Sequence, residues 1–163
     1  PTPPPLPIDP ITAKPQRIAS LERPARFDCG GGCAFGTIGD YVRFGQMPLN
    51  GGNLEGAQIL SPHFVAHMTT NHLGPEIKNR VANVEPYRAG YGFGLGVAVR
   101  LEQGLAAVPG NPGEYSWNGS DGTGFFVDPK EKLVVAFGTA APGEIRRYYR
   151  EQIQNLVYGS MTR

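Results

Sequence analysis

Four short runs with a strand-like apolar pattern crowd into residues 91–139, and they constrain the chain more than any other feature. Tyr91, Phe93, Leu95, Val97 and Val99 alternate with Gly92, Gly94, Gly96, Ala98 and Arg100. Successive side chains of a strand point to opposite faces, so this two-residue period predicts a strand. The interleaved glycines mark a surface onto which another segment packs closely. Residues 114–119, 123–127 and 133–139 read as three further strands. Asp128-Pro129-Lys130-Glu131 has turn chemistry, which makes the last two an antiparallel hairpin. A closing helix begins near Pro142 and Gly143, carries Ile145, Tyr148, Tyr149, Ile153, Leu156 and Val157 on a face that needs the sheet, and stops at Gly159 as a C′ residue. Arg146, Arg147 and Arg150 occupy its remaining positions and read as a solvated basic face. The order of these elements is strand, strand, strand, strand, helix.

Two helix starts precede the sheet. Thr37 with Asp40 has the form of a capping box, Asp standing in the usual Glu place, and it opens a helix with Ile38, Tyr41, Val42 and Phe44 on one face. Pro48 and then Gly51-Gly52 end that helix. Ser61 followed by Pro62 is an N-cap with proline at the first helical position, and Phe64, Val65 and Met68 supply the buried side of a short helix running to about Thr70.

Residues 1–28 form a proline-rich extended arm. Pro1, Pro3, Pro4, Pro5, Pro7, Pro10, Pro15 and Pro24 remove amide donors and favour polyproline-like backbone, which reads as a connector wrapping a neighbour. Cys29-Gly30-Gly31-Gly32-Cys33 then reads as a tight, packed loop. The opening Pro1-Thr2-Pro3, with no initiator Met, reads as an excised or processed piece.

A length of 163 residues suits one domain. Lys+Arg 15 against Asp+Glu 14 leaves a net charge of +1, too small a field to attract nucleic acid or an anionic membrane. No apolar run has the length of a membrane span and no basic-then-apolar leader is present, so the expectation is a soluble chain. Cys29 and Cys33 are too few for a disulfide scaffold and leave the redox compartment open.

His63 and His67 stand four apart on a predicted helix, with His72 as the nearest third histidine. That spacing suits a metal, but Phe64 follows His63 where a zinc hydrolase motif carries its general-base Glu. Surface or half-buried histidines are the expectation, with no metal and no cofactor.

Tyr115-Ser116-Trp117-Asn118-Gly119-Ser120-Asp121-Gly122-Thr123-Gly124 is the most distinctive stretch. It resembles the third active-site element of serine beta-lactamase-like hydrolases, the group of class C beta-lactamases, related esterases and penicillin-binding proteins. There a Lys-Thr-Gly, or in esterase-type members a Trp-x-Gly or His-x-Gly, lies on a strand beside the nucleophile, and Trp117-Asn118-Gly119 matches the Trp-x-Gly form. The resemblance extends from about Cys29 onward through Thr37-Ile38-Gly39-Asp40-Tyr41, Phe44-Gly45-Gln46-Met47, Leu49-Asn50-Gly51-Gly52, Ile59-Leu60-Ser61-Pro62 and Tyr91-Gly92-Phe93-Gly94-Leu95-Gly96.

The resemblance implies an α+β fold, the C-terminal portion of the beta-lactamase/transpeptidase-like fold over residues 29–163, an antiparallel sheet with packed helices. It implies that the backbone amide of Ser120 is an oxyanion donor, that Trp117 forms part of the substrate pocket wall with Asn118 beside it, and that Gly119 lets a carbonyl approach. Trp117 in the place of Lys tilts the expectation from penicillins toward esters. The family's nucleophile lies in a Ser-x-x-Lys motif, and no Ser here has Lys three residues later. This chain is therefore expected to be inactive alone. Its expected partners are an ester or lactam substrate in the complete enzyme, and an N-terminal half as a separate chain or a second copy meeting its exposed sheet. A non-catalytic module recognising a cell-wall peptide or a partner protein is the alternative. The resemblance tilts the compartment toward periplasmic or secreted.

Overall fold

The computed structural model describes residues 8–15, 36–77 and 80–162. Helix α1 (Ile38–Leu49) leads into a small hairpin, β1 (Asn53–Leu54) and β2 (Ala57–Gln58), followed by α2 (Pro62–Met68), α3 (Val81–Val84) and a 3-10 turn at Pro86–Arg88. Strands β3 (Tyr91–Phe93), β4 (Ala98–Arg100), β5 (Tyr115–Asn118), β6 (Gly124–Asp128) and β7 (Leu133–Phe137) come next, and α4 (Ile145–Ser160) closes the chain. The main sheet has the order β3-β4-β5-β6-β7, every neighbouring pair antiparallel. The α+β class holds, and the Asp128–Glu131 turn joins β6 to β7 with Asp128 opposite Leu133.

The alternating run at 91–100 forms two strands rather than one. Phe93 pairs with Ala98, and the Gly94 amide donates to the Val97 carbonyl at 2.7 Å. Gly96 has φ +82°, a backbone region nearly closed to other residues, so the glycines that preserve the alternation also permit the turn. The close packing expected on these glycines is present. Cβ atoms on Gly92 and Gly94 would collide with the Asn71 side chain and the Met68 carbonyl. The segment after α2 is held there by bonds from Phe93 N to Asn71 Oδ1 (3.0 Å), His72 N to Phe93 O (2.8 Å) and Leu95 N to Met68 O (2.9 Å). Because the obstacle at Gly94 is backbone, Gly94→Ala is expected to destabilise the chain by about 1–3 kcal/mol. A urea midpoint equal to that of the unaltered chain would rule out this contact.

The cap signals are realised. Asp40 N donates to Thr37 Oγ1 (3.1 Å) and Thr37 N to Asp40 Oδ2 (3.3 Å), while Phe64 N donates to Ser61 Oγ (3.2 Å). Gly45 lets α1 approach the sheet, for a Cβ there would lie 2.6 Å from Val134 Cγ1. Tyr41 and Phe44 set their rings against Phe125, with centroids 5.3 and 6.0 Å away. Under α1 lies a cluster of Val99, Tyr115, Phe125 and Val127. In α2 the expected buried side shrinks to Val65: Phe64 is exposed, and the helix ends at Met68 rather than near Thr70.

Helix α4 departs most from expectation. Its buried residues are Arg150 and Gln154, while Tyr148, Tyr149 and Leu156 are exposed, and it continues through Gly159 to Ser160. The cause is the surface it meets. Arg100, Glu114 and Asp128 are all buried and polar. Glu114 accepts from Tyr91 Oη (2.8 Å) and Gln154 Nε2 (3.0 Å), with Arg100 Nη1 3.6 Å away. Tyr158 Oη donates to Asp128 Oδ2 at 2.6 Å, which Asn111 Nδ2 also reaches at 2.8 Å. Buried polar groups require such partners, so polar residues of α4 face inward.

Residues 8–15 turn back on themselves, with Ile8 bridged to Pro15. The buried Asp9 carboxylate accepts from the amides of Ile11 (2.8 Å), Thr12 (3.2 Å) and Glu144 (2.8 Å). Glu144 gives α4 no side-chain cap, and Asp9 satisfies its amide from the other end of the chain. Burial alone would raise the Asp9 carboxyl, but these backbone donors and the Ile145 amide outweigh it and hold it low. Cys29, Cys33 and the intervening glycines lie outside the described residues.

Candidate functional site

Strand β5 ends where Asn118 pairs with Gly124. A tight turn follows, closed by Gly119 N to Thr123 O (3.0 Å) and Gly122 N to Gly119 O (3.3 Å). A Cβ on Gly119 would displace the Thr123 hydroxyl. Beside it lies a cleft of about 590 Å³, walled by Trp117, Asn118, Gly119 and Ser120 on the sheet side and by Tyr41 of α1 and its cap Thr37 on the other. All four residues expected to serve substrate therefore meet at one cleft.

Their surroundings differ. Trp117 is 37% exposed and packs edge-on against Phe93, ring centroids 4.9 Å apart. The Asn118 amide has its Oδ1 accepting from Tyr87 Oη (2.8 Å) and Arg88 Nη2 (3.3 Å) and its Nδ2 donating to Trp117 O (3.0 Å), the orientation that pairs each donor with an acceptor. Its polar end is thus engaged by the buried 3-10 turn behind the wall. Ser120 is exposed with Oγ 3.4 Å from Asp121 Oδ1, and its backbone amide has no acceptor among the described residues.

Behind the turn sits Arg150, which is 3% exposed. Its Nη1 donates to Glu85 Oε1 (3.0 Å), and its Nη2 donates to the carbonyls of Thr123 (3.3 Å) and Gly119. The solvated basic face expected for α4 is corrected here. Arg146 and Arg147 are half-buried, Arg147 pairing with Glu144, and Arg150 is a buried ion-pair partner. Burial draws the Arg150 guanidinium below its usual range, and the Glu85 carboxylate opposes this. Burial likewise pushes the Tyr87 hydroxyl up. Glu85, Tyr87, Arg88 and Arg150 were not read as site residues from the sequence. The one available signal was the polar series Arg150, Gln154, Tyr158 at four-residue spacing on α4.

His67 and His72 meet edge to face with centroids 4.7 Å apart, and His72 Nε2 lies 2.9 Å from the His67 carbonyl. Among the described residues, no group of three or more His, Cys, Asp or Glu is placed to hold a metal ion. No helix there is long and apolar enough to cross a membrane.

A meandering antiparallel sheet with a closing helix, and a Trp-x-Gly strand end opening on a cleft, defines part of a serine-hydrolase-type α+β domain. The chain belongs to the beta-lactamase family, whose sequence profile matches residues 2–157. Two proteins of Mycobacterium tuberculosis, Protein Rv1367c and Uncharacterized protein MT1414, are each 34% identical to it over 117 residues, 70% of this chain and 29% of theirs. EstCE1, a hydrolase with promiscuous acyltransferase activity, is 29% identical with a TM-score of 0.61 over 76% of this chain and 30% of its own. Simvastatin synthase LovD from Aspergillus terreus shares the fold, with a TM-score of 0.58 at 18% identity over 77% of this chain and 34% of its own. The chain thus spans about a third of these relatives or less.

Proposed function

We propose that this chain supplies the third active-site strand and one oxyanion-binding amide, that of Ser120, to a serine beta-lactamase-like hydrolase that cleaves an ester or lactam through an acyl-enzyme. A segment outside these 163 residues contributes the nucleophilic serine and its lysine. The observation that carries this reading is the Ser120 amide, free of any acceptor among the described residues, on the wall of the cleft formed with Trp117 and Gly119.

The serine oxygen attacks the substrate carbonyl and its proton passes to the neighbouring base. The resulting oxyanion accepts from the serine amide and from Ser120 N–H, and its collapse expels the leaving group before water releases the acyl chain. Trp117 forms an apolar wall where lactam-specific relatives carry a cation, which favours esters. The outer edge of β7 and the exposed Tyr148, Tyr149 and Leu156 are where the rest of the domain docks.

The test joins this chain to a Ser-x-x-Lys-bearing segment of the family, as one polypeptide. It is expected to hydrolyse a p-nitrophenyl ester and to take a fluorophosphonate label, while the chain alone does neither. A folded joined protein that neither turns over the ester nor takes the label would overturn the proposal.

A further inference from the structure

In a planar trans peptide, the carbonyl of one residue and the N–H of the next point in opposite directions. The described backbone has no cis peptide bond. The carbonyl joined to the Ser120 amide is that of Gly119, and it faces inward, accepting from Arg150 Nη2 and from Gly122 N (3.3 Å). The Ser120 N–H is therefore directed away from Arg150, and Ser120 itself borders the cleft. The guanidinium is also held from outside this turn. It rides on α4 and is anchored by Glu85 just ahead of the 3-10 turn, 65 residues away in sequence. A carbonyl that accepts from a cation is polarised, and amide resonance passes that polarisation to the attached N–H, which becomes a stronger donor.

We propose that Arg150 is a positioning residue for oxyanion binding: from behind the β5–β6 turn it orients and polarises the Gly119–Ser120 peptide, so that the Ser120 N–H is aimed at the charge that develops on the substrate oxygen. Glu85 holds the guanidinium in that direction. The inference rests on the reading of Ser120 as an oxyanion donor, and the test separates the two.

In the isotopically labelled chain, Arg150→Met is expected to move the Ser120 amide proton and the Gly119 carbonyl carbon upfield, with resonances of the β3–β4 hairpin unmoved. Arg150→Lys, which keeps the charge and one donor, is expected to restore part of the shift. In the joined, ester-hydrolysing polypeptide, Arg150→Met is expected to lower kcat about tenfold with KM within about twofold, a loss smaller than deleting the donor. An unmoved Ser120 resonance in folded Arg150→Met overturns the role of Arg150. A moved resonance with unchanged kcat overturns the role of Arg150 in oxyanion binding, whereas an active Ser120→Pro overturns the oxyanion reading on which the inference rests. Should Arg150→Met fail to fold, the unaltered chain decides. A coupling across the hydrogen bond between the Gly119 carbonyl carbon and an Arg150 guanidinium nitrogen, together with rapid solvent exchange of the Ser120 amide, is the expected result. A missing coupling or a protected Ser120 amide overturns the inference.

Discussion

Ser120→Pro in the joined polypeptide is expected to lower kcat for an ester by about 100-fold to 1,000-fold, whereas Ser120→Ala leaves it within about twofold. The contrast isolates the backbone. Alanine removes the hydroxyl and keeps the N–H, while proline removes the N–H itself. No described residue accepts from the Ser120 amide, so its deletion breaks no hydrogen bond among the described residues. The turn's own bonds, Gly119 N to Thr123 O and Gly122 N to Gly119 O, belong to other amides. Steady-state kinetics beside a thermal midpoint for each variant make the comparison. Loss of activity in Ser120→Ala would assign the work to the hydroxyl instead, and an active Ser120→Pro would remove the amide from the mechanism.

The parts of this site that the sequence made legible are those built by neighbours in the chain. Thr37 with Asp40 and Ser61 with Pro62 announce their helices because each cap acts within one turn. The Asp128–Glu131 turn and the strands it joins follow in the same way. Period-two alternation fails to find the bend at Gly94–Val97, since the alternation runs unbroken through a four-residue turn. The facing of α4 escapes the sequence for a different reason. An apolar stripe is assigned to the interior by default, yet the interior here carries Arg100, Glu114 and Asp128. Nothing local to Arg150 announces Glu85, and nothing local to Asp9 announces the amide of Glu144, 135 residues later. Long-range polar pairs are chosen by topology, and topology is where single-sequence periodicity has no information.

This buried polar layer carries the largest stability effect expected for this chain. Glu114→Ala should destabilise it by about 3–5 kcal/mol, because removing one partner of a buried pair strands the other. Arg100, only 2% exposed, would keep its Val108 carbonyl contact (2.8 Å) but lose its carboxylate, Tyr91 Oη would lose its acceptor, and Gln154 Nε2 would keep only the Pro109 carbonyl (2.9 Å). Glu114→Gln preserves the shape and most hydrogen bonds, and it is expected to be much milder. The pH dependence gives an independent check. Burial raises the Glu114 carboxyl above its usual 4.5, and the Tyr91 hydrogen bond and Arg100 only partly offset this. The folded chain therefore holds this proton more tightly than the unfolded one. The stability linked to it is fully present below the unfolded pKa and is lost as pH rises through the folded value. Asp9 and Asp40, whose carboxyls are held low, act with the opposite sign, and their contribution disappears as the solution is acidified through their folded values. Urea midpoints for the unaltered chain and Glu114→Gln, compared at about pH 4 to 8, separate these effects, because the aspartates are common to both. The gap should shift against the unaltered chain as pH rises. A gap that stays constant would show that Glu114 ionises in the fold as easily as in the unfolded chain, and that Arg100 and its neighbours fully compensate its burial.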